Sequence, residues 1–298
     1  MPAAFTPITL DLKDDYLARY AACPQKTSDY SLANLYGWCE EYGLEWAFGD
    51  THVWLRQTKP EVVHWAPVGP WTGADWSKCP SLAEGVRVTR VPSDLAAIWQ
   101  ESLGGRVALV PAREHFDYVY AVADLIELKG NKWHKKKNLL AQFTKAYDFE
   151  YAVLCPELIE EALALQTQWS VWRDSEPEGT LSAENRAIFR VMQAWDELPG
   201  LFGGAIRVDG KMVAYTVAEV LDATSVVIHF EKGMPGYKGV YQAINQMFLA
   251  NQAAGYTYVN REQDLGDEYL RKAKMSYNPA LLLEKFTAVV EPGNRGGV

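Results

Sequence analysis

The 298-residue sequence has only four cysteines, Cys23, Cys39, Cys79 and Cys155, and no two of them form a C-x-x-C pair. That excludes a disulfide-stapled secreted module and predicts reduced, mostly buried thiols in a cytoplasmic protein. No run approaches the ~20 apolar residues of a membrane-spanning helix. Met1 to Lys13 also lack a basic segment followed by an apolar one. Any contact with lipid is therefore expected to be peripheral. His52, His64, His115, His134 and His229 never stand at ligand spacing such as i, i+4, so no metal site is expected. The sequence contains no G-x-S-x-G elbow, which leaves a serine hydrolase without support. Nor does a low-complexity linker divide it. At ~150 residues per domain, the length predicts two domains or one large one, and two domains are expected to divide as 1–150 and 151–298.

Basic residues are the minority, 29 against 38 acidic, for a net charge of −9. General nucleic-acid binding needs a basic face and is disfavoured. Two local exceptions stand out. Lys129, Lys132, Lys135, Lys136, Lys137 and Lys145 occupy a window without an acidic residue, and Arg271, Lys272 and Lys274 form a second cluster. An acidic body with two basic spots suits a protein that avoids random polyanions yet holds one anionic ligand. A solvated helix face is the alternative for the lysine run.

Periodicity predicts a helix over Ser31–Tyr42 closed by Gly43, then strands at Leu44–Phe48, His52–Arg56 and Val62–Pro67. Pro92–Leu103 reads as a helix capped by Ser93, Arg106–Val110 and Tyr118–Ala123 as strands, and Lys132–Tyr147 as a helix. Two further helices are expected at Pro156–Arg173 and Ser182–Leu198, the latter capped by Ser182. Leu201–Val208 and Lys211–Val220, joined by Asp209-Gly210, predict a β-hairpin. Beyond it come a strand at Ser225–Phe230, a helix at Tyr241–Ala254, a strand at Tyr256–Asn260, a helix at Asp267–Met275 and a strand at Leu281–Val289. The order implies an α+β fold. Tyr118-Val119-Tyr120 and Tyr256-Thr257-Tyr258, each followed by Asp-Leu and a basic cluster, form a faint echo offset by roughly 140 residues, a domain-scale period.

Three stretches can carry chemistry. The first is His229-Phe230-Glu231-Lys232-Gly233, running through Gly236, Lys238 and Gly239 to Tyr241. Glycines between a strand and a helix N-terminus can aim amides at an anion, but their spacing fits neither dinucleotide nor P-loop fingerprints. A plain surface turn is the alternative. The second, Asn260-Arg261-Glu262-Gln263-Asp264-Leu265-Gly266, sets ionisable groups at a strand end, a common ligand position. Capping of the next helix by Asp264 or Asp267 is the competing explanation. In the third, Arg271 and Lys274 share a helix face suited to phosphate, or to salt bridges alone. Trp169 and Trp172 can line a cleft.

Taken together, His229–Lys232, Tyr241–Asn245, Asn260–Gly266 and Leu270–Lys274, with Gly130–Lys145 and Asp29–Ser31, resemble a bacterial family. That family is related to the C-terminal catalytic domain of phosphatidylglycerol lysyltransferases and is Fem-like. The resemblance spans nearly the whole chain. It implies two tandem domains of the Gcn5-related N-acetyltransferase (GNAT) type, each a mixed, mostly antiparallel sheet flanked by helices, with the site in the second. The lysyltransferases move an aminoacyl group from aminoacyl-tRNA to a lipid hydroxyl, and Fem-type enzymes transfer to an amine. By the resemblance, Glu231, Glu262 and Asp264 are candidates for base or for holding a substrate ammonium. Lys232, Gly236, Lys238, Gly239, Tyr241, Asn260, Arg261, Arg271, Lys272 and Lys274 are candidates for substrate contacts, and Lys132, Lys135, Lys136 and Lys137 for a basic rim. The donor expected is aminoacyl-tRNA, and the acceptor a lipid, peptide, small amine or hydroxyl. The sequence departs from the family in two respects: the multi-span membrane region is absent, and Tyr241 stands where enzymes using acetyl-coenzyme A keep a small residue. A coenzyme-A-dependent N-acyltransferase and a non-catalytic anion-binding module are the alternatives.

Overall fold

The computed structural model describes residues 4–173 and 180–292. The chain forms two units, one built from the segment up to Asp117, Gln263–Asp267 and the segment from Leu282, the other from Tyr118–Glu262 and Glu268–Leu281. These units do not coincide with halves split at residue 150. The lysine-rich stretch from Lys129 to Lys145 belongs to the second unit, and the chain returns to the first unit twice. Among the described residues, no helix is long and apolar enough to cross a membrane.

The first unit opens with β1 (Thr6–Pro7), α1 (Lys13–Ala21) and α2 (Leu32–Tyr42). Ser31 caps α2 by accepting from the Asn34 amide at 3.4 Å. Next come β2 (Glu45–Phe48), β3 (Val53–Gln57), β4 (Val63–Val68), β5 (Arg87–Pro92), α3 (Ser93–Leu103) and β6 (Val107–Pro111). The expected Ser93 cap on α3 is not made. Pro92 occupies that position, and the Ser93 hydroxyl instead accepts from the Gln25 amide at 3.0 Å.

The second unit contains β7 (Asp117–Ala121), α4 (Val122–Glu127), α5 (His134–Ala146), β8 (Phe149–Val153), α6 (Pro156–Arg173), α7 (Thr180–Gln193), β9 (Leu201–Val208), β10 (Lys211–Val220), β11 (Ser225–Gly233), α8 (Val240–Phe248), β12 (Tyr258–Asn260), α9 (Glu268–Met275) and β13 (Leu281–Leu283). Helix α7 starts before Ser182, so that residue lies inside the helix, and its hydroxyl accepts from Arg186 at 2.5 Å rather than capping. The final strand, β14 (Lys285–Val290), rejoins the first unit. The single strand expected over Leu281–Val289 is thus two strands in two different sheets. An apolar run records burial and carries no information about which sheet supplies it.

Among the described residues each unit holds a seven-stranded sheet, ordered β1-β2-β3-β4-β5-β14-β6 and β13-β7-β12-β11-β10-β9-β8. In each, antiparallel strands lead into one parallel pair, β4 with β5 and β11 with β12. The β9–β10 hairpin turns on Asp209 (φ 51°) and Gly210 (φ 74°), the paired positive angles that a two-residue turn needs to follow strand twist. Ala243, Ile244 and Met247 of α8 pack on Ile206, Val208, Val213 and Ala214 of the second sheet, with Phe143 of α5 completing that core.

The two parallel pairs differ in what lies beyond them. In the first unit the pair covers only His64 against Val88 and Trp65 against Thr89. Past it, the buried Tyr30 hydroxyl accepts from the Ala66 amide at 3.0 Å and donates to the Arg90 carbonyl at 2.8 Å, so its ring bridges the diverging strands. In the second unit β12 stops at Asn260, paired with Val227, while β11 continues to Gly233.

Candidate functional site

Where β12 stops, β11 presents His229, Glu231 and Lys232. Glu231 accepts from Arg261 at 2.8 Å through Oε1 and from Asn245 of α8 at 2.9 Å through Oε2. Arg261 lies 4.9 Å from the Tyr277 ring centre and 5.9 Å from that of Tyr120. Burial works most strongly against its charge, but Glu231, Tyr277 and Tyr120 together outweigh burial and raise the guanidinium pKa. Gln242 donates to the Tyr277 hydroxyl at 2.9 Å, tying α8 to the same cluster. Lys136 of α5 reaches in as well, 3.6 Å from the Tyr277 ring centre and donating to the Ser276 hydroxyl at 2.8 Å. Burial, with the Arg261 charge nearby, lowers its pKa to about 8.

Beside this cluster, Glu262 lies within 2.9 Å of His229 Nδ1, and His229 Nε2 lies within 3.0 Å of Glu219 on β10. Lys232 is nearly buried, donating to Glu184 of α7 at 2.7 Å and resting 4.1 Å from the Trp169 ring centre. Asn260 is buried and accepts from the Glu262 amide at 2.8 Å.

A cleft of about 820 Å³ opens along the β11–α8 connection, lined by Trp169, Trp172 and the stretch Gly233–Gln242. The expected glycine loop therefore forms one wall of a real cavity. Gly239 caps α8 at φ 86°, and a Cβ placed there would come within 2.1 Å of the Leu139 carbonyl oxygen on α5, so only glycine fits. The Gly236 carbonyl accepts from Tyr147 at 3.0 Å. Among the described residues, the amides of Gly236, Tyr237, Lys238 and Gly239 have no protein acceptor, and the Lys238 ammonium has no carboxylate partner. Free amides at a helix start, next to a cation, make an anion-binding surface. Tyr241 stands at the mouth and accepts from the Trp169 indole at 3.2 Å.

Other candidate residues have different surroundings. Asp264 belongs to the first unit, is fully buried, and accepts from Arg113 at 3.1 Å and from the Gly266 amide at 2.9 Å. Lys274 donates to the Arg261 carbonyl and fixes that strand end. Lys272 is exposed and faces Glu268 at 3.8 Å on the same helix. Arg271 is half-buried on α9. Lys132 pairs with Asp124 at 3.3 Å, while Lys135 and Lys137 are exposed on α5 and have no carboxylate partner among the described residues.

Sequence reasoning missed the charged core of the first unit. Lys285 of β14 is fully buried between Asp29 and Asp117, with Arg90 on Asp29 and Gln263 donating to Asp29 at 2.9 Å. Burial alone would raise the Asp29 pKa, yet Lys285 and Arg90 hold its carboxyl below the usual range. Burial and the nearby Arg90 charge lower the His115 pKa to about 4, so it is neutral at physiological pH. A lone lysine inside an apolar strand was the available signal for this core.

Paired antiparallel strands, a splayed parallel pair and a glycine-capped helix after the first parallel strand define a fold that this chain shares with FemX. The chain belongs to the phosphatidylglycerol lysyltransferase C-terminal family, whose model matches residues 20–289. It is similar to the crystal structure of a conserved protein of unknown function from Bacteroides thetaiotaomicron, at 30% identity and TM-score 0.87, covering 97% of this chain and 100% of that one. The fold is shared with the C-terminal domain of a candidate lysylphosphatidylglycerol synthetase from Agrobacterium fabrum (11% identity, TM-score 0.66, 95% and 93% covered). FemX shares it too, at 9% identity and TM-score 0.62, with 95% and 96% covered. No curated protein matches the sequence.

Proposed function

We propose that the chain is an aminoacyl transferase, moving an aminoacyl group from aminoacyl-tRNA to a lipid, peptide, small amine or hydroxyl acceptor, with the site in the second unit. The observation that carries this reading is the cleft at the β11–α8 connection, walled by tryptophans and lined by four residues whose amides, like the Lys238 ammonium, have no acceptor or carboxylate partner among the described residues. Phosphates of an acyl carrier suit such a wall. Lys136, with Lys135 and Lys137 on the same helix, provides a basic rim for the rest of the carrier.

Both Glu231 oxygens are already engaged, by Arg261 and Asn245. Its role in the reading is therefore to hold Arg261, the cation available to a developing oxyanion. Among the described residues Glu262 uses only Oε1, and in this reading it keeps Oε2 for a substrate ammonium. An aminoacyl donor carries that ammonium and acetyl-coenzyme A does not. Asp264 has no part in this reading.

The four free amides also support a second reading, a coenzyme-A-dependent N-acyltransferase, since they suit a pyrophosphate equally. Thermal melting separates the two, because a ligand at about 100 times its Kd stabilises by about 2.7 kcal/mol. Charged tRNA is expected to raise the melting temperature and acetyl-coenzyme A is not. Labelled amino acid should then pass from charged tRNA to a lipid extract, a peptide or an amine. Failure to transfer from any charged tRNA refutes the proposal, and stabilisation by acetyl-coenzyme A alone favours the second reading.

A further inference from the structure

His229 sits at an irregularity in its sheet. Val217 of β10 faces Phe230, and the next residue, Ala218, faces Ile228, so His229 has no cross-strand partner. Such bulges re-aim a side chain. The imidazole is almost completely buried, at 2% exposure, and each ring nitrogen meets a carboxylate: Nε2 at 3.0 Å from Glu219, Nδ1 at 2.9 Å from Glu262. A neutral imidazole offers one donor and one acceptor, and its acceptor would face a carboxylate oxygen. With both carboxylates ionised, only the doubly protonated ring satisfies both contacts.

Glu262 is constrained from every side. Its backbone is left-handed at φ 58°, its amide donates to Asn260 Oδ1 at 2.8 Å, and its carbonyl accepts from the Tyr118 amide at 3.1 Å. A non-glycine residue keeps that conformation only where its surroundings over-determine it. Of the three groups it alone has appreciable exposure, 25% of its side chain against 5% for Glu219. Among the described residues, Oε2 of Glu262 has no protein partner.

We infer that His229 is a positioning residue, a buried imidazolium that holds Glu262 in one orientation and leaves its second oxygen to receive a substrate ammonium. This rests on the role given to Glu262 in the proposed aminoacyl transfer. Among the described residues, the charged groups that raise the His229 pKa are Glu219 from β10 and Glu262 from the loop after β12. Burial is the largest single influence and opposes the ring's charge, but the hydrogen bonds and charges of these two carboxylates together outweigh it and raise the pKa to about 9.

The test uses the full chain and two non-hydrolysable donor mimics, the alanyl amide of 3′-amino-3′-deoxyadenosine and its N-acetylated form. Calorimetry is expected to give about tenfold weaker binding for the acetylated compound, and for H229Q with the free amine, at about pH 7. The ratio of wild-type to H229Q affinity cancels the mimic's own amine titration, and should fall toward one above about pH 9. E219Q removes one carboxylate, so the ratio should collapse at lower pH. A ratio constant with pH is what a merely structural histidine would give, and it overturns the inference. Nitrogen NMR of His229 decides the charge state whether or not a mimic binds. Both nitrogens protonated at about pH 7 supports the inference, and a neutral ring ends it. If neither mimic binds the wild type while the ring is charged, the aminoacyl reading fails and the held carboxylate stands.

Discussion

Replacing Arg261 by methionine removes the cation from a carboxylate that has only 8% of its side chain exposed. Glu231 would keep the Asn245 amide as its remaining hydrogen-bond partner. Breaking a buried pair in this way costs about 3–5 kcal/mol, because the orphaned charge is not rehydrated. Methionine fills much of the arginine stem's volume between Tyr277 and Tyr120, which isolates the electrostatic part. Adding E231Q should return at least half of the loss, since it removes the stranded charge. E231Q alone should cost less than R261M, because the guanidinium retains the faces of two aromatic rings. Urea denaturation of the four proteins gives the coupling directly. A loss under about 1 kcal/mol for R261M, or no recovery in the double variant, would refute the view that this pair is a desolvated unit. Loss of Arg261 should also raise the Lys136 pKa from about 8, because a neighbouring positive charge is gone.

Two glycines of the cleft wall should behave differently. G239A places a Cβ against the α5 backbone at 2.1 Å and should destabilise by roughly 3 kcal/mol or more, whereas G236A, with open space around it, should lose only the ~1–2 kcal/mol of left-handed strain. Equal losses in denaturant would show that Gly239 is not packed as described. For His229 the folded pKa of about 9 lies above the ordinary 6.5. Its contribution is therefore complete below about pH 6.5 and is lost as pH rises through about 9. At about 1.4 kcal/mol per unit this amounts to roughly 3 kcal/mol, and melting curves of wild type and H229Q should converge at alkaline pH. Parallel curves across that range would contradict the assignment.

Local structure was legible wherever one short segment determined it. Ser31 and Gly43 bracket α2, Asp209-Gly210 turns the β9–β10 hairpin, and the bounds of α6 follow from Pro156 onward. What the sequence could not show depends on partners far along the chain. Lys285 looks like an interruption in an apolar strand until Asp29 and Asp117 are found on either side of it. Tyr30 reads as a core aromatic, yet its hydroxyl spans the divergence of β4 and β5, while in the second unit β11 runs on past the end of β12. Residue types reveal that an acyltransferase sheet can open and say nothing about which opening is bridged.

The candidate acids illustrate the same limit. Glu231, Glu262 and Asp264 are equivalent as letters, three carboxylates near strand ends. In the fold, Asp264 is fully buried and bound by Arg113, Glu231 has both oxygens occupied, and Glu262 has one oxygen held and one without a partner among the described residues. A carboxylate already neutralised by a buried guanidinium is a poor receptor for a further cation, because that charge has been compensated at close range in low dielectric. The feature that ranks these residues is therefore the number of their acceptor sites left over after folding. That number depends on Arg261, Asn245 and His229, which lie between 14 and 33 positions from the carboxylates they hold.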